Sequence, residues 1–131
     1  MLPDQGIHHI PAFDVDRNAR ELVHNGWRVF VLPGGINDKK KLFDAIRSAL
    51  PLDPPVFGDR SWEALSDSLW GGLDSLNAKK IAIIWPASEE MAMTQPEEFK
   101  IASSILSDLT KSLADADATI GDVKQILVVL G

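Results

Sequence analysis

Residues 54–73 run Pro54-Pro55-Val56-Phe57-Gly58-Asp59-Arg60-Ser61-Trp62-Glu63-Ala64-Leu65-Ser66-Asp67-Ser68-Leu69-Trp70-Gly71-Gly72-Leu73. The first part predicts a stiffened loop, because proline fixes φ and glycine tolerates positive φ. Ser61 is placed to cap a helix, its hydroxyl accepting from an orphaned N–H of the first turn. At about 100° per residue, Trp62, Leu65, Leu69 and Leu73 then share one face. Glu63, Asp67, Trp70 and Asp74 form a second stripe about a third of a turn away. Asp59 lies in the loop just before the helix. A loop plus short helix is expected, with an apolar back and an acidic front. Acidic residues on a helix ordinarily form only its solvated face, and Trp62 reads first as core.

The stretch resembles the barstar family, intracellular protein inhibitors of secreted ribonucleases. That family carries an aromatic-Gly loop followed by a short helix reading roughly acidic-Ala-Leu-x-Asp-Cys-Leu. Phe57-Gly58 and Glu63-Ala64-Leu65-Ser66-Asp67-Ser68-Leu69 occupy those places. The likeness continues through Lys80-Ile81-Ala82-Ile83-Ile84-Trp85 and the closing Gln125-Ile126-Leu127-Val128-Val129-Leu130, so it covers about residues 27–131 by pattern order. One residue is inserted between Gly58 and Glu63, and the loop lacks the family's usual Asn. Ser66 stands where an aromatic is sometimes seen, and Ser68 replaces the cysteine.

Length and composition agree with a small soluble protein. A chain of 131 residues is expected to form one domain that buries about two-thirds of its unfolded surface. Its 45% apolar and 24% charged residues are ordinary globular values. The absence of cysteine excludes a disulfide framework and thiolate zinc sites. No stretch approaches the roughly 20 apolar residues of a membrane span, and no signal-peptide run opens the chain. A cytoplasmic location is expected. The net charge of −6 argues against non-specific nucleic-acid binding, which needs cations to displace phosphate counterions. It suits a basic protein partner, although many soluble proteins are as acidic.

Along the chain, Gly6-Ile7-His8-His9-Ile10-Pro11 predicts a short strand ended by proline. Adjacent His8 and His9 would point to opposite sides of it and could not easily share a metal. Asp14 or Asp16 would cap a helix reaching His24, with Gly26 as its stop. Trp27 to Leu32 reads as a strand closed by a Pro33-Gly34-Gly35 turn, and Lys39 to Leu50 as a helix. Gly71-Gly72 and Asn77 are expected to loosen the chain ahead of strand Ile81–Trp85. Pro86 to Gln95 is expected to be irregular. A helix then starts at Thr94-Gln95-Pro96, with Ile101, Ile105, Leu109 and Leu113 on its apolar face, and Ile126–Leu130 is the last strand.

Strands alternating with helices predict an α/β fold: a small, mostly parallel sheet with packed helices. The resemblance implies a barstar-like arrangement with three core strands. Residues 1–26 are expected to be an added strand-helix unit contributing a fourth, edge strand, and residues 27–131 the core of the single domain.

The sequence offers little for catalysis. It has no Cys, and His8, His9 and His24 all lie in the added unit. Glu63 and Asp67, exposed on a short helix, would both stay ionised and suit neither a general acid nor a shared proton. Asp115, Asp117 and Thr119 are superficially similar to a calcium loop, but the glycine falls one place late and Ile126 stands at the last ligand position. No catalytic residue, cofactor or metal is expected.

The resemblance instead implies partner binding through Phe57, Gly58, Asp59, Glu63, Asp67 and Trp70. Asp67 matches the family position at the centre of the inhibitory surface. There its carboxylate would mimic an RNA phosphate and accept bonds from nuclease arginines. Glu63, one turn earlier, would add a second anion. Phe57 and Gly58 correspond to the loop that lies over the nuclease cleft, while Asp59 and Trp70 border the surface. Lys111 and Asp115 fall where the family's later helix approaches the nuclease, and Lys111 has the wrong charge for a basic target. Three readings stand: an inhibitor of a barnase-like or related ribonuclease, an immunity or regulatory module aimed at another toxin, and a small acidic enzyme or ligand-binding domain with a deep polar pocket.

Overall fold

The computed structural model describes residues 5–131. Its strands are β1 (Gly6–His9), β2 (Arg28–Val31), β3 (Lys80–Trp85) and β4 (Gln125–Leu130). The helices are α1 (Val15–His24), α2 (Lys39–Ala49), α3 (Trp62–Asp74), α4 (Glu89–Thr94) and α5 (Pro96–Ser112). The strands form one sheet in the order β1-β4-β3-β2, with every pair parallel. The expected α/β architecture is therefore present, with the N-terminal strand at one edge.

The unbroken apolar runs of β3 and β4 have a direct cause. The two strands are central and in register from Lys80–Gln125 to Trp85–Leu130, so alternate side chains enter two different cores. Ile81, Ile83, Trp85, Ile126, Val128 and Leu130 face α2, α3 and α5. Ala82, Ile84, Leu127 and Val129 face Val15 and Leu22 of α1 together with Trp27. A sheet covered on both sides requires this composition. β2, at the other edge, is only partly covered, and Val31 is exposed.

Three sequence expectations are corrected. Gly71 and Gly72 do not loosen the chain; they lie inside α3. A Cβ on Gly71 would collide with the Asp53 carbonyl oxygen, and one on Gly72 with that of Pro51. The glycines thus let the 51–53 backbone lie directly on the helix, where the Asp53 N–H donates to the Ser68 carbonyl at 3.0 Å. Residues 86–95 are not wholly irregular, because α4 forms there. Glu89 and Glu90 suit its first turn, and Met91 is fully buried beneath it. On α5 the buried side chains are Ala102, Leu106, Leu109 and Thr110, followed by Leu113. Leu109 and Leu113 are buried as expected, whereas Ile101 is exposed and Ile105 only partly covered, so the first half of the apolar face is turned by about one residue.

Candidate protein-binding site

α3 begins where the sequence places it. Ser61 is the N-cap, its hydroxyl accepting from the Ala64 N–H at 3.0 Å. Leu65, Leu69 and Leu73 are buried against the sheet, as their spacing predicts. Trp62 is half-buried: its ring meets Phe43 edge-on at 5.1 Å, and its indole N–H donates to Glu98 Oε2 at 3.2 Å. The cavity beneath the helix is about 10 Å³, lined by Leu32, Leu65, Leu69, Leu106 and other apolar side chains. α3 therefore presents a surface to its surroundings and no substrate-sized space behind it.

The acidic stripe is shorter than expected. Glu63 and Asp67 are exposed one turn apart, and neither has an ion-pair partner among the described residues. Glu63 also lies in the first turn, where the helix dipole favours a negative charge. Asp74 is half-buried, with one carboxylate oxygen enclosed and without a partner among the described residues. Trp70 packs against the main core, and its indole N–H donates to the Ser112 hydroxyl at 2.7 Å. Trp70 thus faces α5, and its polar handle is already engaged.

The preceding loop presents Phe57 to solvent, 90% exposed, between buried Val56 and Gly58 at φ +76°. Asp59 is half-buried and Arg60 exposed. Two cations of α2 fasten this loop. Arg47 Nη1 donates to the Val56 carbonyl at 3.3 Å and to the Gly58 carbonyl at 2.6 Å. Lys39 Nζ lies 3.4 Å from the Arg60 carbonyl and sits over the rings of Trp62 and Phe43. Asp44 pairs with both Arg47 and Lys40. Hydrogen bonds from Arg47, then Lys40, hold its carboxyl below the ordinary range. Sequence reasoning missed Arg47 and Lys39. Their one signal was spacing: Lys39, Phe43 and Arg47 recur every fourth residue on one flank of a helix.

The remaining candidates lie elsewhere. Lys111 is exposed near the end of α5, with no ion pair among the described residues. Asp115 Oδ1 instead accepts from the backbone N–H groups of Asp117 and Ala118, which makes it a turn residue. His8 Nε2 lies 2.8 Å from the Gln5 carbonyl, and His9 is exposed. Among the described residues no helix is long and apolar enough to cross a membrane.

A family model described as barstar (barnase inhibitor) matches residues 27–122. The chain belongs to the barstar family. Searches of the curated proteins and of the solved structures returned no match. Membership places the chain in an inhibitor family, not a catalytic one. Ser68 is buried on the side of α3 that receives the 51–53 backbone.

Proposed function

We propose that this chain inhibits a ribonuclease by covering its active site with the 56–60 loop and the acidic flank of α3. The carrying observation is that Glu63 and Asp67 stand exposed, with no ion-pair partner among the described residues, on the helix that follows a loop bearing an exposed aromatic, in a chain of an inhibitor family. An active site that holds RNA phosphate is rich in arginine, lysine and histidine. Asp67 takes the phosphate's place there and Glu63 supplies a second anion, while Phe57 fills an apolar hollow next to them. Gly58 and Asp59 shape and border the loop. Trp70 supports α3 from behind, through Ser112. The inhibitor acts in the cytoplasm, protecting the cell from a barnase-like or related nuclease. In this proposal residues 1–26 form an addition to the inhibitory core of residues 27–131; the first four lie outside the described residues.

A second reading keeps the scaffold and changes the target. Lys111, exposed and cationic, favours a toxin whose facing surface carries an acidic group. One experiment separates the two. The purified chain is used to capture partners from cell extract and culture medium, and the retained proteins are assayed for RNA cleavage with and without added inhibitor. Capture of a ribonuclease whose activity falls on binding supports the first reading. Capture of a toxin without ribonuclease activity supports the second.

A further inference from the structure

The 56–60 loop carries the most exposed aromatic of the site, yet its backbone is held at three carbonyls. Arg47 Nη1 reaches the carbonyls of both Val56 and Gly58, the residues on either side of Phe57. Arg47 thus draws both carbonyls toward α2, while the Phe57 ring between them is left 90% exposed. Gly58 allows the reversal, since φ +76° is a conformation L side chains rarely adopt. Val56 anchors the start of the loop in the core. Lys39 approaches the far end at the Arg60 carbonyl. Arg47 is itself fixed by Asp44, which Lys40 holds from the other side. This is a chain of charged contacts running from the surface of α2 to the backbone around Phe57.

We infer that Arg47 and Lys39 are positioning residues that hold the 56–60 loop in its binding conformation before the partner arrives. The inference rests on the inhibitory reading of this surface. A loop ordered in advance loses little conformational entropy on association, and that gain appears mainly as slower dissociation. Arg47 suits the task better than lysine, because its planar fork can serve Asp44 and two carbonyls together. The exposed acids Glu63 and Asp67 attract the partner, whereas Arg47 and Lys39 determine how long it stays.

The test uses the full chain, with barnase as the probe. In Arg47→Ala, backbone order parameters over residues 57–60, measured by NMR on the free protein, should fall from rigid values to below about 0.6, with α2 and α3 unchanged. Dissociation from barnase should accelerate about tenfold while association changes less than about threefold. Arg47→Lys should lie between the two, and Lys39→Met should loosen only the Arg60 end. A loop that stays as ordered in Arg47→Ala as in the wild type would overturn the inference. So would a loosened loop with unchanged dissociation. If the wild type does not bind barnase, inhibition of that enzyme fails as a reading. The order parameters of the free protein then decide by themselves whether Arg47 and Lys39 hold the loop.

Discussion

Trp70 and Ser112 join two helices: the indole N–H of Trp70 donates to the Ser112 hydroxyl at 2.7 Å, tying the middle of α3 to the last turn of α5. Trp62 and Glu98 make the corresponding link near the start of both helices. The acidic flank is therefore carried on a helix fastened to its neighbour at two levels. Ser112→Ala should cost about 1 kcal/mol, because it leaves a half-buried donor without its acceptor. A double-mutant cycle with Trp70→Phe, read by urea unfolding, should show coupling of at least about 0.5 kcal/mol. Additive effects would mean that the bond contributes nothing.

Gly72→Ala tests the contact between α3 and the 51–53 backbone. At an ordinary helix position, alanine for glycine stabilises by roughly 0.5–1 kcal/mol. Here the new Cβ would overlap the Pro51 carbonyl oxygen, so the substitution should destabilise by about 1–3 kcal/mol. Denaturant midpoints decide the sign.

Trp85 is fully buried at the end of β3, and its ring lies 5.4 Å from that of Phe99. Trp85→Ala should cost about 3–5 kcal/mol. The indole N–H has no acceptor among the described residues, so Trp85→Phe sacrifices no hydrogen bond and should cost less than about half as much. Equal losses in urea unfolding would show that the N–H is satisfied after all.

Acid should weaken the fold in a defined direction. The Asp122 carboxyl is held below its ordinary value of 3.8 by a hydrogen bond from Lys79 and then by the charge of Lys124. Asp44 is lowered in the same sense by Arg47 and Lys40. A carboxyl more acidic in the folded than in the unfolded chain adds stability above the unfolded value. That stability is lost as pH falls through the lowered folded value. Melting temperatures should therefore drop below about pH 4, less steeply in an Asp44→Asn, Asp122→Asn double variant. Both groups are exposed, so added salt should shrink the difference. Parallel slopes for wild type and variant would show that these pairs do not contribute.

The sheet was legible in the sequence because its central strands must be apolar on both faces, and Ile81–Trp85 and Ile126–Leu130 are. The buried face of α3 was legible for a similar reason, since Leu65, Leu69 and Leu73 follow helical spacing and Ser61 caps the turn before them. Long-range pairing was not legible. Nothing local shows that Trp70 would meet Ser112, that Asp74 would be half-buried, or that the 51–53 backbone would lie across Gly71 and Gly72. Arg47 and Lys39 were not read as functional, because the carbonyls they reach, at Val56, Gly58 and Arg60, lie beyond the helix that carries them. α4 was missed because a six-residue helix held by one buried methionine, Met91, leaves little periodicity to read.

Asp67 is the position whose substitution tests the inhibitory surface most directly. It is exposed, lies mid-helix away from Leu65 and Leu69, and has no ion-pair partner among the described residues, so Asp67→Asn should leave the fold intact while removing only charge. In a complex, the basic groups it neutralises would be left buried and unpaired, which costs at least about 2 kcal/mol of binding. The measurement is an inhibition titration of the captured ribonuclease, or of barnase, by wild type and Asp67→Asn, with unfolding curves confirming equal stability. An inhibition constant weaker by about thirtyfold or more is the result predicted. An Asp67→Asn variant that inhibits as tightly as the wild type would contradict the phosphate-mimic mechanism.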